Sequence, residues 1–305
     1  MTPDEYTNQE LRIDIGDGHK LYAQDWGNKD AETPVFFLHG GPGSQCKDKH
    51  KANFDPKTQR VIFHDQRGCG QSTPYGSLEH NTTQNLVEDI EKIAGKLGIE
   101  KFIISGGSWG SCLALAYALK YPNRVKAMVL NGIFTGSAQE IDYLDGGGFR
   151  THFPDAWQTF LDTVPKTHRD NPGKYHARRI LGDDEAAAKE SAYAYGNLEA
   201  AVMSLDDRFT PGDFEEFDPS GMRIEVAYMQ HGCFMPDRYI LDNAHKLTMP
   251  VWLVQGRYDF VCPPRTAYEL NQKLPNSRLV WTIGGHGNEH ETASVQKSIL
   301  LSLTS

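Results

Sequence analysis

The sequence has few cysteines, fewer basic than acidic side chains, and no long apolar run. Its five cysteines form no CxxC pair and no zinc-like group with histidine, which predicts reduced thiols and no structural metal. Acidic residues outnumber basic ones by 40 to 31, and the lysines and arginines are scattered. This pattern argues against nucleic acid or an anionic membrane as a partner.

No apolar run approaches the roughly 20 residues of a membrane span. The first ten residues, MTPDEYTNQE, are polar and lack the charged-then-apolar order of a secretory signal. We therefore expect a cytoplasmic protein with no cofactor and no metal. The sequence does not indicate an oligomeric state.

Short apolar runs alternate with longer amphipathic ones, as expected when crossover helices join parallel strands. LRIDI and KLYAQDW predict an opening antiparallel pair. PVFFLHG, RVIFHD, KFIISGG and VKAMVLNG predict the strands that follow. Between the second and third of these runs, apolar residues recur at the three- to four-residue spacing of one helix face, at Leu86, Ile90, Ile93 and Leu97. The fold class is therefore α/β, with a mostly parallel central sheet flanked by helices.

The alternation stops near residue 135 and resumes at PVWLVQG, which is followed by the strand-like run RLVWTIGG. The intervening stretch is rich in aromatic residues, alanine and acidic residues and shows no strand pattern. We expect a core formed by residues 1–135 and 244–305, with a helical cap formed by residues 136–243. An insertion at this point would lie over the carboxyl ends of the strands, where open α/β sheets bind ligands.

Gly106, Ser108 and Gly110 form the pattern GxSxG between a strand-like run and a helix-favouring run. In a nucleophile elbow the serine occupies a strained conformation, so small residues must flank it. The pentapeptide alone is a weak signal, and a tight turn rich in glycine is the simpler interpretation. The strand-turn-helix context favours Ser108 as a nucleophile.

A serine hydroxyl needs a base, and the base needs an acid to orient it. Asp259 follows PVWLVQG and His286 follows RLVWTIGG, in the order that this kind of serine site requires. His290 is the rival base, and Asp65 precedes the serine in the chain and is assigned to stabilising a turn. With an unperturbed histidine pKa of about 6.5, activity should fall as the pH drops through that value.

Acyl transfer also requires donors for the oxyanion. In serine sites built on a nucleophile elbow, one N–H donor comes from the loop after an early strand and the other from the residue after the nucleophile. Here the stretch LHGGPG follows the first parallel strand. We assign the backbone N–H groups of Gly41 and Trp109. A glycine-rich turn with only a structural role is compatible with the same residues.

Several stretches together resemble the proline iminopeptidases, or prolyl aminopeptidases, of the α/β-hydrolase superfamily: HGGPG, DQRGCGQS, GGSWGSCLALAYA, RIE and VQGRYDFVCP. The resemblance covers nearly the whole chain and is more specific than GxSxG. It implies an α/β-hydrolase fold with a helical cap and a serine peptidase that acts on peptides with a free N-terminus.

The resemblance also implies that Glu199 and Glu225 hold the free α-amino group of the substrate and that Phe134 lines the prolyl pocket. Carboxylates suit an ammonium in a partly dry pocket. This chain departs from the family's pattern: Tyr195 and Leu198 stand where the family has tryptophans, and Gln71 replaces an arginine. These departures put the selectivity for proline in question more than the catalysis.

The sequence therefore predicts a serine aminopeptidase that releases an N-terminal residue, preferably proline, from small peptides. A broader amidase or carboxylesterase on the same scaffold is the main alternative. A catalytically silent binding protein is another, although such a protein has no physical need for a complete triad. Epoxide hydrolases and haloalkane dehalogenases are disfavoured because their elbow carries aspartate where this chain has Ser108.

Overall fold

The computed structural model describes residues 5–203, 205, 211–287 and 290–304. Its centre is an eight-stranded sheet with the spatial order β1-β2-β4-β3-β5-β6-β7-β8. The strands are β1 Thr7–Gly16, β2 His19–Gly27, β3 Val35–Leu38, β4 Arg60–His64, β5 Phe102–Ser108, β6 Val125–Ile133, β7 Val251–Gly256 and β8 Ser277–Thr282. Strand β2 pairs antiparallel with β1 and β4, and the other neighbouring strands are parallel. The predicted strands and the mostly parallel sheet are confirmed.

The helices connect the strands and cover both faces of the sheet. They are α1 Asp48–Lys51, α2 Thr83–Lys96, α3 Trp109–Lys120, α4 Ala138–Asp145, α5 Pro154–Asp162, α6 Pro172–Ile180, α7 Glu185–Met203, α8 Ser220–Gln230, α9 Tyr239–Asn243, α10 Pro264–Lys273 and α11 His290–Thr304. Helix α2 lies where the periodicity predicts it. Its buried side includes Leu86, Ile90 and Ile93, and the Thr82 hydroxyl caps its first turn by accepting from the Asn85 N–H.

Helix α3 differs from α2 because it is apolar on every side. All of its residues from Trp109 to Ala118 are buried, in the main core cluster that also holds Phe36 and Phe102 of the sheet. A helix without a polar face must be enclosed by other elements. This enclosure holds the start of α3 rigidly at the end of β5, where the GxSxG stretch lies.

The chain between β6 and β7 is helical in the residues described, and it has its own apolar cluster built around Phe149, Trp157, Phe160 and Tyr195. Its last helix, α9, instead contacts α3 and α10 and contributes Ile240 to the main core. Helix α8 also contributes Ile224 and Tyr228 to the main core, so the segment combines its own layer of helices with residues that pack on the sheet.

Candidate active site

Ser108 occupies a sharp turn between β5 and α3. Its φ of 57° and ψ of −129° are unusual for a residue with a side chain. Its glycine neighbours are needed because the backbone is crowded: a Cβ on Gly106 would lie 2.6 Å from the Gly110 carbonyl oxygen, and one on Gly110 would lie 2.2 Å from that of Leu38. The glycines of GxSxG therefore allow close approach of three backbone segments.

The hydroxyl of Ser108 lies at one end of a chain of hydrogen bonds. His286 Nε2 is 3.1 Å from Ser108 Oγ, and His286 Nδ1 is 3.0 Å from Asp259 Oδ2. Ser108 and His286 are 178 positions apart in the chain, so the fold brings them together. The residues chosen from their positions after β5, β7 and β8 are within hydrogen-bonding distance of one another.

The Asp259 carboxylate is held in a buried turn. Its Oδ1 accepts the N–H groups of Val261 and Cys262, at 3.0 and 2.7 Å, and its Oδ2 accepts from the Gln255 side chain at 3.2 Å. These donors stabilise the ionised carboxylate and fix its orientation toward the imidazole. Gln255 was not identified from the sequence as a neighbour of Asp259, because Gln255 lies inside the strand β7 and no local pattern distinguishes it from other strand residues.

The electrostatic environment of His286 favours its charged form. Burial is the largest single influence and opposes the imidazolium, but the Asp259 carboxylate and the Cys262 side chain together outweigh it and raise the pKa of His286 well above its ordinary value. The Cys262 thiol also hydrogen-bonds to this imidazole. The loss of activity at low pH, expected near the unperturbed histidine pKa, is therefore expected at a higher pH.

The two residues assigned to the oxyanion lie on either side of Ser108. Gly41 has a φ of +109° and lines the same cavity as Ser108 and His286, with a volume of about 340 Å³. A Cβ on the preceding residue, Gly40, would lie 3.4 Å from Ser108 Cβ. Trp109 is the first residue of α3, and the N–H groups at a helix N-terminus favour negative charge.

Glu199 on α7 and Glu225 on α8 hydrogen-bond to each other and interact electrostatically with His286. Helix α7 also touches the histidine loop, because the Met203 carbonyl accepts the Gly287 N–H at 2.9 Å. The structure therefore brings both glutamates to the triad from two different helices.

Burial raises the pKa of Glu199 to about 7, and burial together with the neighbouring Glu199 raises the pKa of Glu225 well above its usual range. Asp145, whose carboxylate accepts the Tyr195 hydroxyl at 2.6 Å, adds negative charge nearby. At neutral pH the glutamate pair therefore retains at least one proton and carries at most one negative charge.

The remaining predicted residues lie away from the cavity beside Ser108. Phe134 is 4 % exposed and belongs to the main core, so its contribution to a prolyl pocket stays a prediction. Tyr195 and Leu198 pack in the cluster of the inserted helices, and Gln71 is exposed and accepts a hydrogen bond from Arg12. The family positions that differ in this chain thus lie in the helical layer or at the surface.

Of the two rivals to the triad, the structure describes the side chain of Asp65. Asp65 accepts the backbone N–H groups of Cys46 and Gln71, each at 2.8 Å, which is the turn-stabilising arrangement predicted for it. His290 begins α11, and its side chain lies outside the described residues.

Two further features bear on function. Among the residues described, no helix is long and apolar enough to cross a bilayer. Within the same ranges, no group of three or more histidine, cysteine, aspartate or glutamate side chains could hold a metal ion. A larger cavity of about 860 Å³ opens among α5, α6 and α7. Leu198 lines it, but none of its described lining residues belongs to the triad, the oxyanion pair or the glutamate pair.

Solved structures of related architecture agree with the fold. The chain superposes on the structure of a proline iminopeptidase from Mycobacterium smegmatis with a TM-score of 0.61, at 21 % identity and covering 97 % of each chain. It superposes on an esterase from Exiguobacterium antarcticum with a TM-score of 0.62, at 19 % identity, covering 97 % of this chain and 99 % of the other. At these identities the likeness shows the fold alone.

Proteins with similar sequences identify the family as well as the fold. A family model described as the α/β hydrolase fold matches residues 33–287. A proline iminopeptidase of Arabidopsis thaliana is 39 % identical over 293 residues, covering 91 % of this chain and 75 % of the relative. One from Xylella fastidiosa is 38 % identical over 278 residues, covering 89 % of this chain and 88 % of the relative. With this identity over most of its length, the chain belongs to the proline iminopeptidase family of the α/β hydrolases.

Proposed function

We propose that the protein is a serine aminopeptidase that releases an N-terminal residue, preferably proline, from small peptides. The observation that carries the proposal is a pair of glutamates beside a serine, histidine and aspartate already within hydrogen-bonding distance. The family's relatives named proline iminopeptidase support the same activity.

In the first half of the reaction, neutral His286 accepts the proton of Ser108 as Oγ attacks the carbonyl carbon of the N-terminal residue. The resulting oxyanion would be bound by the N–H groups of Gly41 and Trp109. Collapse of the tetrahedral intermediate breaks the C–N bond. The imidazolium then gives its proton to the leaving amine, and an acyl-enzyme remains on Ser108.

In the second half, a water molecule gives a proton to His286 and attacks the acyl carbon. Collapse of the second tetrahedral intermediate breaks the bond between the acyl carbon and Ser108 Oγ, the imidazolium returns its proton to Oγ, and the released residue leaves. Asp259 orients the imidazole and stabilises the imidazolium, and three hydrogen-bond donors fix the position of its carboxylate.

The glutamate pair accounts for restriction to free amino termini. When Glu199 is ionised and Glu225 is protonated, the pair presents one negative charge, which matches the single positive charge of an α-ammonium. An acylated N-terminus offers no such charge and leaves the carboxylate without a partner. We also propose that residues 136–243 act as a cap that carries these glutamates, and that the protein is cytoplasmic.

Covalent labelling tests the enzymatic part of the proposal. A fluorophosphonate should label the folded protein at Ser108, and the label should disappear in Ser108→Ala. Labelling that persists in Ser108→Ala would place the nucleophile elsewhere. Folded wild-type protein that takes up no label would favour a silent binding protein.

Substrate comparison tests the specificity. The anilides of proline, alanine and leucine are compared with N-acetylproline anilide and a simple acetyl ester. The proposal expects the free proline anilide to be turned over fastest among the anilides, and the acetylated one slowest. The altered positions Tyr195 and Leu198 favour a broader amidase or carboxylesterase as the second candidate, and equal rates on acetylated and free substrates would establish it.

A further inference from the structure

A closed set of hydrogen bonds lies beneath the proposed oxyanion site and involves two side chains that the triad does not use. The Gln66 backbone N–H donates to His39 Nε2 at 3.0 Å, and His39 Nδ1 lies 2.9 Å from the Gly40 carbonyl oxygen. The Gln66 side chain donates to the His39 carbonyl at 2.9 Å and accepts from the Trp109 indole N–H at 2.9 Å. The set joins Gly40 to Trp109 without a gap.

The partners determine every proton position in this set. A backbone N–H only donates and a carbonyl only accepts, so His39 carries its proton on Nδ1. Burial lowers the pKa of His39, which keeps the ring neutral. The indole only donates, so the Gln66 amide has one orientation. His39, Gln66 and Trp109 are 1 %, 3 % and 0 % exposed, and water does not compete for these bonds.

Because the peptide group is planar, these hydrogen bonds also fix the direction of the Gly41 N–H. The carbonyl of Gly40 and the N–H of Gly41 belong to one trans peptide plane, so fixing the carbonyl fixes the direction of the N–H on the opposite side. On the other side of Ser108, the indole bond from Trp109 to Gln66 holds the first residue of α3, whose backbone N–H is the second donor.

We propose that Gln66 and His39 are positioning residues that set the separation and orientation of the two oxyanion donors, Gly41 N–H and Trp109 N–H. Neither side chain contacts the substrate, and both act through backbone groups. Gln66 is the central member because its side chain bonds to both halves of the site. The inference rests on the proposed acyl transfer at Ser108.

The expected effect lies in the transition state. Bound substrate carries a neutral carbonyl, whereas the tetrahedral intermediate carries the negative charge that the two N–H groups stabilise. Gln66→Met keeps the size of the side chain and the backbone N–H, but it loses both side-chain hydrogen bonds. A misplaced donor costs up to about 100-fold, so kcat on proline anilide should fall by about 10- to 100-fold with little change in KM.

A matched control distinguishes positioning from loss of stability. Gln59 is also fully buried, and its side chain donates to Thr304 and accepts from the Asp55 N–H, away from the triad. Gln59→Met therefore loses two similar hydrogen bonds, and it should lower the thermal midpoint while leaving kcat unchanged.

The second readout is a boronic acid analogue of proline, which forms a tetrahedral adduct with the serine and places an oxygen at the oxyanion position. In Gln66→Met its inhibition constant should rise by about the same factor as kcat/KM falls. Trp109→Phe removes the indole N–H, keeps the backbone N–H, and should act in the same direction if Gln66→Met does not fold.

Three results would overturn the inference: a rise in KM at constant kcat, an unchanged inhibition constant for the boronate, or an equal loss of kcat in Gln59→Met. Fluorophosphonate labelling of the wild-type protein separates this failure from failure of the proposed function. A labelled protein whose kcat does not respond to Gln66→Met overturns only the positioning role.

Discussion

The two glutamates should not be equivalent on replacement. Glu199 has the lower pKa of the pair, about 7, while Glu225 stays protonated well above its usual range and can donate a hydrogen bond to its neighbour. At pH 8 the negative charge therefore resides mainly on Glu199. The substitution Glu225→Gln keeps the size and the hydrogen-bond donor of a protonated glutamate. The substitution Glu199→Gln removes the negative charge that faces the ammonium.

The magnitude follows from the cost of ionising Glu199. Its pKa is raised from 4.5 to about 7, and at about 1.36 kcal/mol per unit the carboxylate costs roughly 3 kcal/mol more than in water. An ammonium that pairs with it offsets this cost. Removing one partner of such a pair costs about 3–5 kcal/mol, so Glu199→Gln should lower kcat/KM on proline anilide by on the order of 10²- to 10³-fold.

The assay compares three proteins on two substrates at pH 8. Glu225→Gln should lose less than about tenfold on proline anilide, since it removes no net charge from the free site. Both variants should hydrolyse an uncharged acetyl ester at close to the wild-type rate. If Glu225→Gln is as impaired as Glu199→Gln, the shared-proton assignment is wrong. If the ester rate falls as far as the anilide rate, neither glutamate binds the substrate amine.

Three further outcomes follow from the site and its turn. The rate of ester hydrolysis should rise with pH through an ionisation above about pH 6.5, because the raised pKa of His286 shifts formation of the neutral imidazole to higher pH. An ionisation at or below about pH 6.5 would contradict the hydrogen bond between His286 and Asp259. The pKa of Glu199 is raised from 4.5 to about 7, so ionisation of Glu199 destabilises the folded protein at pH values above its unfolded pKa. Thermal melts of Glu199→Gln should therefore show a gain of roughly 1–3 kcal/mol at pH 8 that is absent at pH 4. Gly110→Ala places a Cβ 2.2 Å from the Leu38 carbonyl oxygen. The free energy of unfolding measured in urea should therefore fall by about 1–3 kcal/mol or more, and fluorophosphonate labelling should be slower. A fully active, stable variant would show that the elbow is not crowded.

Much of the site could be predicted because each part leaves a local signature. The strand ends at the strained serine and a helix follows it, so GxSxG after KFIIS indicates an elbow from neighbouring residues alone. The acid and base were chosen from the strand ends that precede them, and they lie within hydrogen-bonding distance of each other. The prediction of α2 succeeded for the same reason, since its apolar spacing is a local property.

Other features depend on neighbours that are distant in the chain. The burial of Phe134 in the main core is one such feature, and its predicted contribution to a prolyl pocket stays a prediction. The pKa shift of His286 arises from the buried Asp259, which no local pattern reveals. Helix α9 lies in the segment predicted to form the cap, and it contacts α3 and α10.

The sequence by itself determined the order of strands and helices, the elbow at Ser108 and the candidates for acid and base, because hydrophobic period and glycine spacing act over a few residues. Only the tertiary structure decided how these parts interact. The sheet order places β4 beside β3, which brings Gln66 against His39, and packing of α7 and α8 over the triad makes two glutamates share a proton. Both effects require burial, and burial depends on the whole fold.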